Sequence, residues 1–176
     1  MKMNYFVIIA DGPDPTADET YNAFYEAGCD DASIAWREGV FIFSFQREAE
    51  RFDDALMSAY RDVTKAGATV TRFEPDTLVA LSDIAERSGL SLTKIDELRG
   101  LDDGGVFPAP DVRVTTGEPL WNWSEVSIWL QRRQLVDREV AIEARAIWEA
   151  NTTLLLQSMQ GAKFEQSFAS LRAGAE

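Results

Sequence analysis

The sequence predicts a mixed α+β protein made of three successive parts. Residues 1–76 alternate apolar runs of strand length with segments of helical spacing. Residues 77–133 hold two short helical segments separated by a glycine turn. Residues 134–176 begin with one long amphipathic helix. Together these observations predict a sandwich, a helix-turn-helix domain and a C-terminal helix, in that order along the chain.

The first part is predicted to form strands and helices in the order βαββαβ. The predicted elements are strands at 5–10, 33–36, 40–45 and 69–73 and helices at about 16–27 and 48–66. Thr16 or Asp18 is the expected N-cap of the first helix, and Gly28 ends it. This order is that of the ferredoxin-like sandwich, in which two helices cover one face of four antiparallel strands.

Two groups of side chains in this part have alternative interpretations. Phe41, Phe43 and Phe45 alternate along one strand, so all three rings share a face. We expect them to form the core of the sheet, the alternative being a ligand pocket. Asp30 and Asp31 follow Gly28, so solvated turn residues are expected there in preference to a catalytic carboxylate pair.

The second part contains the spacing of a helix-turn-helix, over residues 81–98. Ala85 and Gly89 lie four residues apart, as the close contact between two short crossing helices requires. The apolar residues that would close the pair are Ile84, Leu90, Ile95 and Leu98. The helices are expected at about 82–88 and 91–99, with Ser82 as an N-cap and Asp83 paired with Arg87.

A two-stranded wing and a further helix are predicted after the helix-turn-helix. Residues 101–105 are expected to form a flexible turn, and the two prolines at 107–110 require an extended chain. Strands at 112–114 and 119–121 would then bracket a turn at 115–118. Ser124 is expected to cap the next helix. Core packing is expected for the rings of Trp121, Trp123 and Trp129, the alternative being stacking on bases.

The third part is predicted to be a long helix over about 135–159. Its apolar stripe comprises Val136, Val140, Ala144, Ile147, Leu154, Leu155 and Met159. This stripe resembles a coiled-coil seam, which favours pairing with a second copy over packing across both domains, and Asn151 could fix the register. Beyond Gly161 the chain is expected to fray, with Phe164 and Phe168 as candidate docking residues.

Composition excludes several function classes. The chain has no histidine, which excludes histidine-dependent triads and leaves zinc without its commonest ligand. Its single cysteine, Cys29, excludes an internal disulfide and is expected to be buried. We expect no enzyme activity, catalytic residue, metal or cofactor. Residues 1–10 are too short an apolar run for a signal peptide, and no stretch could cross a membrane, so a cytoplasmic protein is expected.

The net charge of −13 is unevenly distributed. Residues 1–76 carry 7 basic and 15 acidic side chains, whereas residues 77–133 carry 6 and 9 and residues 134–176 carry 4 and 6. The middle part is therefore much less acidic than the first part, without being basic. A clustered positive surface, the usual sign of a nucleic-acid-binding domain, is absent from the sequence.

Three motifs of the middle part together carry a family resemblance. They are Asp83-Ile-Ala-Glu-Arg-Ser-Gly89, Phe107-Pro-Ala-Pro110 and Pro119-Leu-Trp-Asn-Trp-Ser-Glu-Val126, the last followed by Trp129-Leu130. Residues 78–133 thus resemble the excisionase-like, MerR-like winged helix-turn-helix domains of bacterial and phage regulators, of the AlpA type. The resemblance implies a second helix in the DNA major groove and a wing on the backbone or minor groove.

The resemblance also implies which residues contact DNA. The groove-facing residues would be Ser91, Thr93, Lys94 and Glu97. The wing would contribute Arg113, Thr115 and Thr116, and phosphate partners would be Arg99 and Arg87. This chain departs from the family in carrying Asp96 and Glu97 on the second helix, acidic residues within 101–105, and Asn122 where relatives often carry a basic residue.

Two functions follow as hypotheses. The first is a sequence-specific, dimeric transcriptional regulator of bacterial or phage type, paired through its C-terminal helix. The second is a protein-interaction module, such as an antitoxin or adaptor, whose acidic helix-turn-helix surface binds a protein partner. An enzyme is the third and weakest alternative, because no nucleophile has a base at a suitable spacing.

Overall fold

The computed structural model describes residues 1–100 and 106–160, which form a mixed α+β fold. The chain divides into two compact units. The first contains Met1–Pro75 and the described residues from Glu149 onward, and the second contains Asp76–Trp148. The predicted turn at 101–105, the side chain of Met159, and the predicted fraying with docking of Phe164 and Phe168 lie outside the described residues.

The first unit is a four-stranded antiparallel sheet with two helices. Its elements are β1 (Lys2–Asp11), α1 (Asp18–Ala27), β2 (Ala32–Arg37), β3 (Val40–Ala49), α2 (Phe52–Lys65) and β4 (Thr69–Glu74). The strands lie side by side in the order β2-β3-β1-β4. In the register of the sheet, Ile8 is opposite Phe43 on one side and Phe73 on the other. The two edge strands are therefore β2 and β4.

The core of the first unit lies between the sheet and its helices. Phe41, Phe43 and Phe45 are buried, which confirms that their alternation marks the core. The Phe24 ring of α1 packs edge-on against Phe41 and Phe43, with ring centres 5.1 and 4.8 Å apart. Large apolar side chains on one face of each element account for this layer.

Two predicted boundaries in this unit were wrong. The helix expected from residue 48 begins at Phe52, because β3 continues to Ala49 and pairs there with Lys2 of β1. Helix α1 has Ala17 as its N-cap and no side-chain cap. Thr16 instead donates from its backbone N–H and its hydroxyl to Asp14, which lies in the turn before the helix.

A buried arginine organises one end of this sheet. The guanidinium of Arg47 donates to both carboxylate oxygens of Asp31, at 2.8 Å each, and to Asp62 at 2.7 Å. It also donates to the carbonyl of Gly28 at 2.6 Å and to Ser58 at 3.1 Å.

Asp30 and Asp31 both lie in the turn before β2, and Asp30 is exposed, as expected. The carboxylate of Asp31 is half-buried and ion-paired with Arg47, so the expectation that it is solvated was wrong. The sequence did not show this ion pair, because Arg47 lies on β3, 16 residues further along the chain.

Burial and neighbouring charges shift the pKa values of two side chains in this cluster, Arg47 and Cys29. Burial acts to lower the pKa of Arg47, but hydrogen bonds and charge from Asp31 and Asp62 outweigh it and raise that pKa. Cys29 is buried beside them, as expected. Burial, with the negative charge of Asp62, raises the pKa of its thiol to about 12. Cys29 is therefore a neutral, poorly nucleophilic thiol at physiological pH.

A side chain from the C-terminal helix forms hydrogen bonds with the backbone at the outer edge of β4. Asn151 accepts from the backbone N–H of Phe73 at 2.7 Å and donates to the carbonyl of Phe73 at 2.8 Å. This amide was expected to fix the register of a helix pair, and in the structure it binds the backbone of its own chain. An amide can do this because it carries a donor and an acceptor side by side, as a strand does.

The second unit consists of short helices around a two-stranded sheet. Its elements are β5 (Leu78–Val79), α3 (Leu81–Ser88), α4 (Leu92–Arg99), β6 (Trp121–Asn122), α5 (Trp123–Arg132) and the first part of α6 (Arg138–Gln160). Its core gathers residues from every element, among them Val79, Ile84, Ile95, Trp121, Val126, Leu130 and Ala144. Trp121, Trp123 and Trp129 are buried in or beside this cluster, so their predicted core packing is confirmed.

The predicted caps of α3 and α5, Ser82 and Ser124, were each wrong by two residues. Helix α3 begins at Leu81 with Ala80 as N-cap, and the carboxylate of Asp83 accepts the N–H of Ala80 at 2.8 Å. Helix α5 has Asn122 as its N-cap in place of Ser124, because the Asn122 side chain accepts from the N–H of Ser124. In α5 the amide of the N-cap binds an N–H of the first turn, whereas in α3 a carboxylate of the first turn binds the N–H of the N-cap.

The apolar stripe of α6 is largely covered within the chain. Val136, just before the helix, and Val140 pack against the core of the second unit, which also includes Ala144. Ile147 is buried as well, whereas Leu155 is exposed. Several positions expected at a seam between two copies are therefore occupied by intramolecular packing.

Candidate nucleic-acid interface

Helices α3 and α4 present one surface of the second unit to solvent. They are joined by three residues, Gly89 to Ser91, and Gly89 adopts the left-handed backbone conformation with φ of 70°. Glycine adopts this conformation without steric cost, which allows the sharp change of direction. Ile84 from the first helix and Ile95 from the second are both fully buried.

Helix α4 has one buried face and one exposed face. Ile95 and Leu98 are buried, whereas Thr93, Lys94 and Glu97 are exposed. The amphipathic spacing of the sequence accounts for this division. The predicted groove-facing residues of this helix therefore do share a solvent-facing surface.

Ser91, the first predicted groove residue, has a structural role. It is the N-cap of α4, and its hydroxyl accepts the backbone N–H of Lys94 at 3.1 Å. Such a cap stabilises a helix by about 1 kcal/mol. The sequence contained this signal, since serine directly before an amphipathic segment is a typical N-cap.

The basic side chains of α4 are bound to acidic side chains of the same helix. Nζ of Lys94 lies 3.2 Å from Oε2 of Glu97, and the guanidinium of Arg99 lies 3.1 Å from the carboxylate of Asp96. The four charges of this face therefore cancel. Both pairs are solvent-exposed and three residues apart, a geometry worth about 0.2–0.5 kcal/mol. The cations are neutralised but weakly held.

The predicted wing is shorter than expected. Antiparallel pairing is confined to a single bridge between Val112 and Leu120. Trp121, which was expected to continue the wing, pairs with Val79 of β5. The strand at 78–79 was not predicted, because two residues are too short to show an alternating pattern. Burial of the Trp121 ring, whose indole N–H donates to the carbonyl of Pro108, accounts for the change of partner.

The predicted wing residues lie in the turn closed by this bridge. Arg113, Thr115 and Thr116 are all exposed. Arg113 has a φ of 57°, and its carbonyl accepts from both the N–H and the hydroxyl of Thr116, at 3.0 and 2.9 Å. These bonds fix the turn and leave the guanidinium of Arg113 in an exposed position.

Three arginines of the second unit lie over tryptophan rings, which the sequence did not reveal. The distances from guanidinium carbon to ring centre are 5.8 Å for Arg87 and Trp123, 5.2 Å for Arg99 and Trp121, and 3.8 Å for Arg133 and Trp129. Contacts of this type stabilise by about 0.5–1 kcal/mol at exposed sites. Arg133 is the C-cap of α5, four residues after Trp129 in the same helix, whereas the other two pairs join different elements and have no local spacing that would signal them.

Arg87 is the least available of the predicted phosphate partners. Its guanidinium donates to the carbonyl of Asp76 at 2.7 Å and is half-buried against Trp123. Burial lowers the pKa of Arg87, and the negative charge of Asp83 partly offsets that effect. Arg99 and Arg113 are more exposed and remain the better placed of the cations proposed for phosphate contact.

Other kinds of site are not evident in residues 1–100 and 106–160. Within these ranges no group of three or more cysteine, aspartate or glutamate side chains could hold a metal ion. Across the same described residues, none of the helices combines the length and the apolar character that a membrane span requires. Comparisons with protein-family models, with curated proteins and with solved structures found no match to this chain.

Proposed function

We propose that this chain is a sequence-specific DNA-binding regulator, with a ferredoxin-like first unit and a winged helix-turn-helix as its second unit. The strand order β2-β3-β1-β4 with two intervening helices supports the first assignment. The three-residue turn through Gly89 supports the second. We place this regulator in the cytoplasm, where its single thiol, Cys29, stays reduced.

The observation that carries the proposal is the two-faced character of α4. Its apolar face is buried in its own unit, and its exposed residues include Thr93, Lys94 and Arg99. Side chains of these types bind phosphate, which positions a protein on DNA, or donate hydrogen bonds to base edges. Arg113 and the hydroxyls of Thr115 and Thr116 supply a second group of donors on the turn closed by the Val112–Leu120 bridge. An exposed short helix with donors is the element that enters the major groove in helix-turn-helix proteins, and the donor-bearing turn belongs to the same compact unit.

Binding requires Lys94 and Arg99 to exchange a carboxylate for a phosphate. Each exposed ion pair holds its cation by only a few tenths of a kcal/mol, which is about the cost of the exchange at Lys94. The exchange costs more at Arg99, which also lies over the Trp121 ring in a contact worth about 0.5–1 kcal/mol. Glu97 and Asp96 nevertheless remain near the DNA and repel it. One copy therefore binds weakly, and two linked copies on two half-sites restore affinity because the second contact is intramolecular.

Titration of random-sequence duplex at low salt, by calorimetry, tests this proposal. We expect Lys94→Gln to weaken binding and to lower the salt dependence by about one phosphate contact. Glu97→Gln should strengthen binding, because it removes a charge and releases Lys94. Lys65→Gln, an exposed lysine at the end of α2, makes the same charge change and is the control. Absence of binding at about micromolar protein contradicts the proposal, since non-specific affinity should appear there.

A second candidate function, a protein-interaction module such as an antitoxin or adaptor, is favoured by one observation. The outer face of α4 is charge-balanced and includes Leu92, whose side chain is 50% exposed. An apolar side chain within balanced charges suits a protein surface better than a polyanion. Under this candidate, Leu92→Ser disrupts the surface that binds the partner, whereas under the first it leaves non-specific DNA affinity within about twofold.

A further inference from the structure

The two edges of the four-stranded sheet differ in how the described residues bind them. At β4, Asn151 occupies the backbone N–H and carbonyl of Phe73, and the pairing with β1 shifts register between Ile9 and Ala10. At β2, the pairing with β3 is regular from Ala32 to Arg37. Its six residues include no proline, lysine or bulge, which are usual devices that prevent an edge strand from pairing further, and its one charged residue, Arg37, lies at its end.

The register of β2 shows which backbone groups point away from the sheet. The N–H of Gln46 donates to the carbonyl of Asp31, and the hairpin pairs Arg37 with Val40. Because hydrogen-bonded pairs alternate in an antiparallel ladder, odd-numbered residues of β2 bond to β3. Ile34 and Trp36 therefore direct their N–H and carbonyl groups outward. The carbonyl of Ala32 also points outward, whereas its N–H donates to the carbonyl of Cys29.

We propose that β2 pairs antiparallel with β2 of a second copy of this chain, joining the two sheets across a two-fold axis at Ile34. With Ile34 opposite its own copy, Trp36 lies opposite Ala32 of the partner subunit. About four hydrogen bonds form, two at the Ile34 pair and one from the N–H of each Trp36 to the carbonyl of Ala32 of the partner subunit. The carbonyl of Trp36 gains no partner in this pairing, because the N–H of Ala32 donates to Cys29. A single surface that is complementary to itself is what a two-fold dimer requires.

The side chains fit this pairing. Trp36 is 41% exposed and rests on the ring of Phe41, so a small partner residue opposite it leaves room for the indole to be covered. On the other face Ser33 lies opposite Ala35, both exposed and uncharged. At the ends Arg37 comes opposite Asp31 of the partner subunit, but that carboxylate is already bound by Arg47 of its own subunit, so the contact adds no new ion pair. Beyond them Asp30 meets Glu38, and this repulsion limits the pairing to the length of β2.

The inference does not depend on DNA binding, and it places the dimer interface on β2 in contrast to the predicted pairing through α6. Sedimentation velocity of the full chain tests it. We expect a dimer at about 100 μM protein, an ordinary concentration range for a modest interface. The double substitution Ser33→Lys with Ala35→Lys should give monomer, because it puts like charges directly opposite one another across the axis.

The matched control for charge is Ser44→Lys with Gln46→Lys. Both residues are exposed on β3, on the same face of the sheet but one strand away from the edge, so this variant should stay dimeric. Far-UV circular dichroism verifies that both variants are folded. A monomeric wild-type chain overturns the proposal, and so does a dimer that the Ser33→Lys, Ala35→Lys substitution leaves intact.

A cross-link gives a second, independent measurement. In the proposed pairing the Ile34 Cα atoms lie about 5.5 Å apart, a distance that a disulfide spans. We expect Ile34→Cys to form a covalent dimer under mild oxidation, and Thr69→Cys, on the β4 edge, to stay monomeric. Native Cys29 does not interfere, because it is buried and its pKa is raised to about 12. Failure of Ile34→Cys to cross-link in a dimeric protein places the interface elsewhere and overturns the proposal.

Discussion

Replacing Arg47 with methionine should strongly destabilise the first unit. The substitution keeps a long apolar stem but removes a guanidinium that makes five hydrogen bonds, to Asp31, Asp62, Ser58 and Gly28. Two carboxylates then face each other without a cation. Their side chains retain 30% and 26% exposure, so water relieves part of the penalty.

The size of the effect follows from that partial burial. Removing one member of a fully buried ion pair costs about 3–5 kcal/mol, and the residual exposure places this case near the lower limit, about 3 kcal/mol. With a urea dependence of about 1–3 kcal/mol per molar, the unfolding midpoint should fall by about 1–3 M. Urea unfolding followed by far-UV circular dichroism measures this midpoint.

Two further variants separate the charge effect from lost packing. Arg47→Met combined with Asp31→Asn and Asp62→Asn removes the uncompensated carboxylates and should recover about 1–2 kcal/mol. Arg47→Lys keeps the charge but loses the forked geometry on Asp31, so its stability should lie between those of the wild type and Arg47→Met. A loss below about 1 kcal/mol for Arg47→Met would refute the argument that this cluster stabilises the unit.

Three other predictions concern single side chains. Asn151→Ala should cost about 2 kcal/mol in urea unfolding, because it strips both backbone partners from Phe73, whereas Asn22→Ala on the exposed side of α1 should cost far less. Ser91→Ala should lower the free energy of unfolding by about 1 kcal/mol through loss of the α4 cap, and Ser91→Asp should retain it; equal stability of all three proteins would contradict the capping role. Because the pKa of Cys29 is raised from 9.0 to about 12, folding favours its neutral thiol; this contribution is complete below pH 9 and is lost as pH rises toward 12. The stability difference between wild type and Cys29→Ala should therefore shrink over that interval, and a constant difference would exclude the linkage.

Sequence periodicity was sufficient to locate most of the fold. The run at 5–10 lies within β1, the alternating phenylalanines lie in β3, and the spacing of Ile84, Ile95 and Leu98 describes the buried faces of two helices. In each case a repeat of two or of about 3.6 residues reflects a single buried face. Helix ends were less predictable, because caps such as Asn122 and Asp83 depend on backbone geometry in the turn.

The candidate interface was only partly predictable, for a different reason. The pairs Lys94–Glu97 and Asp96–Arg99 follow from a three-residue helical spacing that the sequence displays. The stacking of Arg99 on Trp121 and the binding of Phe73 by Asn151 join residues far apart in the chain. No local pattern encodes such contacts, because they depend on how whole elements pack.

The contact between Arg99 and Trp121 also makes this surface visible to spectroscopy. The Trp121 ring is buried and its indole N–H is bound to Pro108, so its polar environment is fixed except at the face where the guanidinium lies. Any ligand that draws Arg99 toward a phosphate or a carboxylate changes the field on that ring. Binding of a ligand to α4 should therefore shift the intrinsic tryptophan fluorescence, so the measurement needs no label and no change to the binding surface.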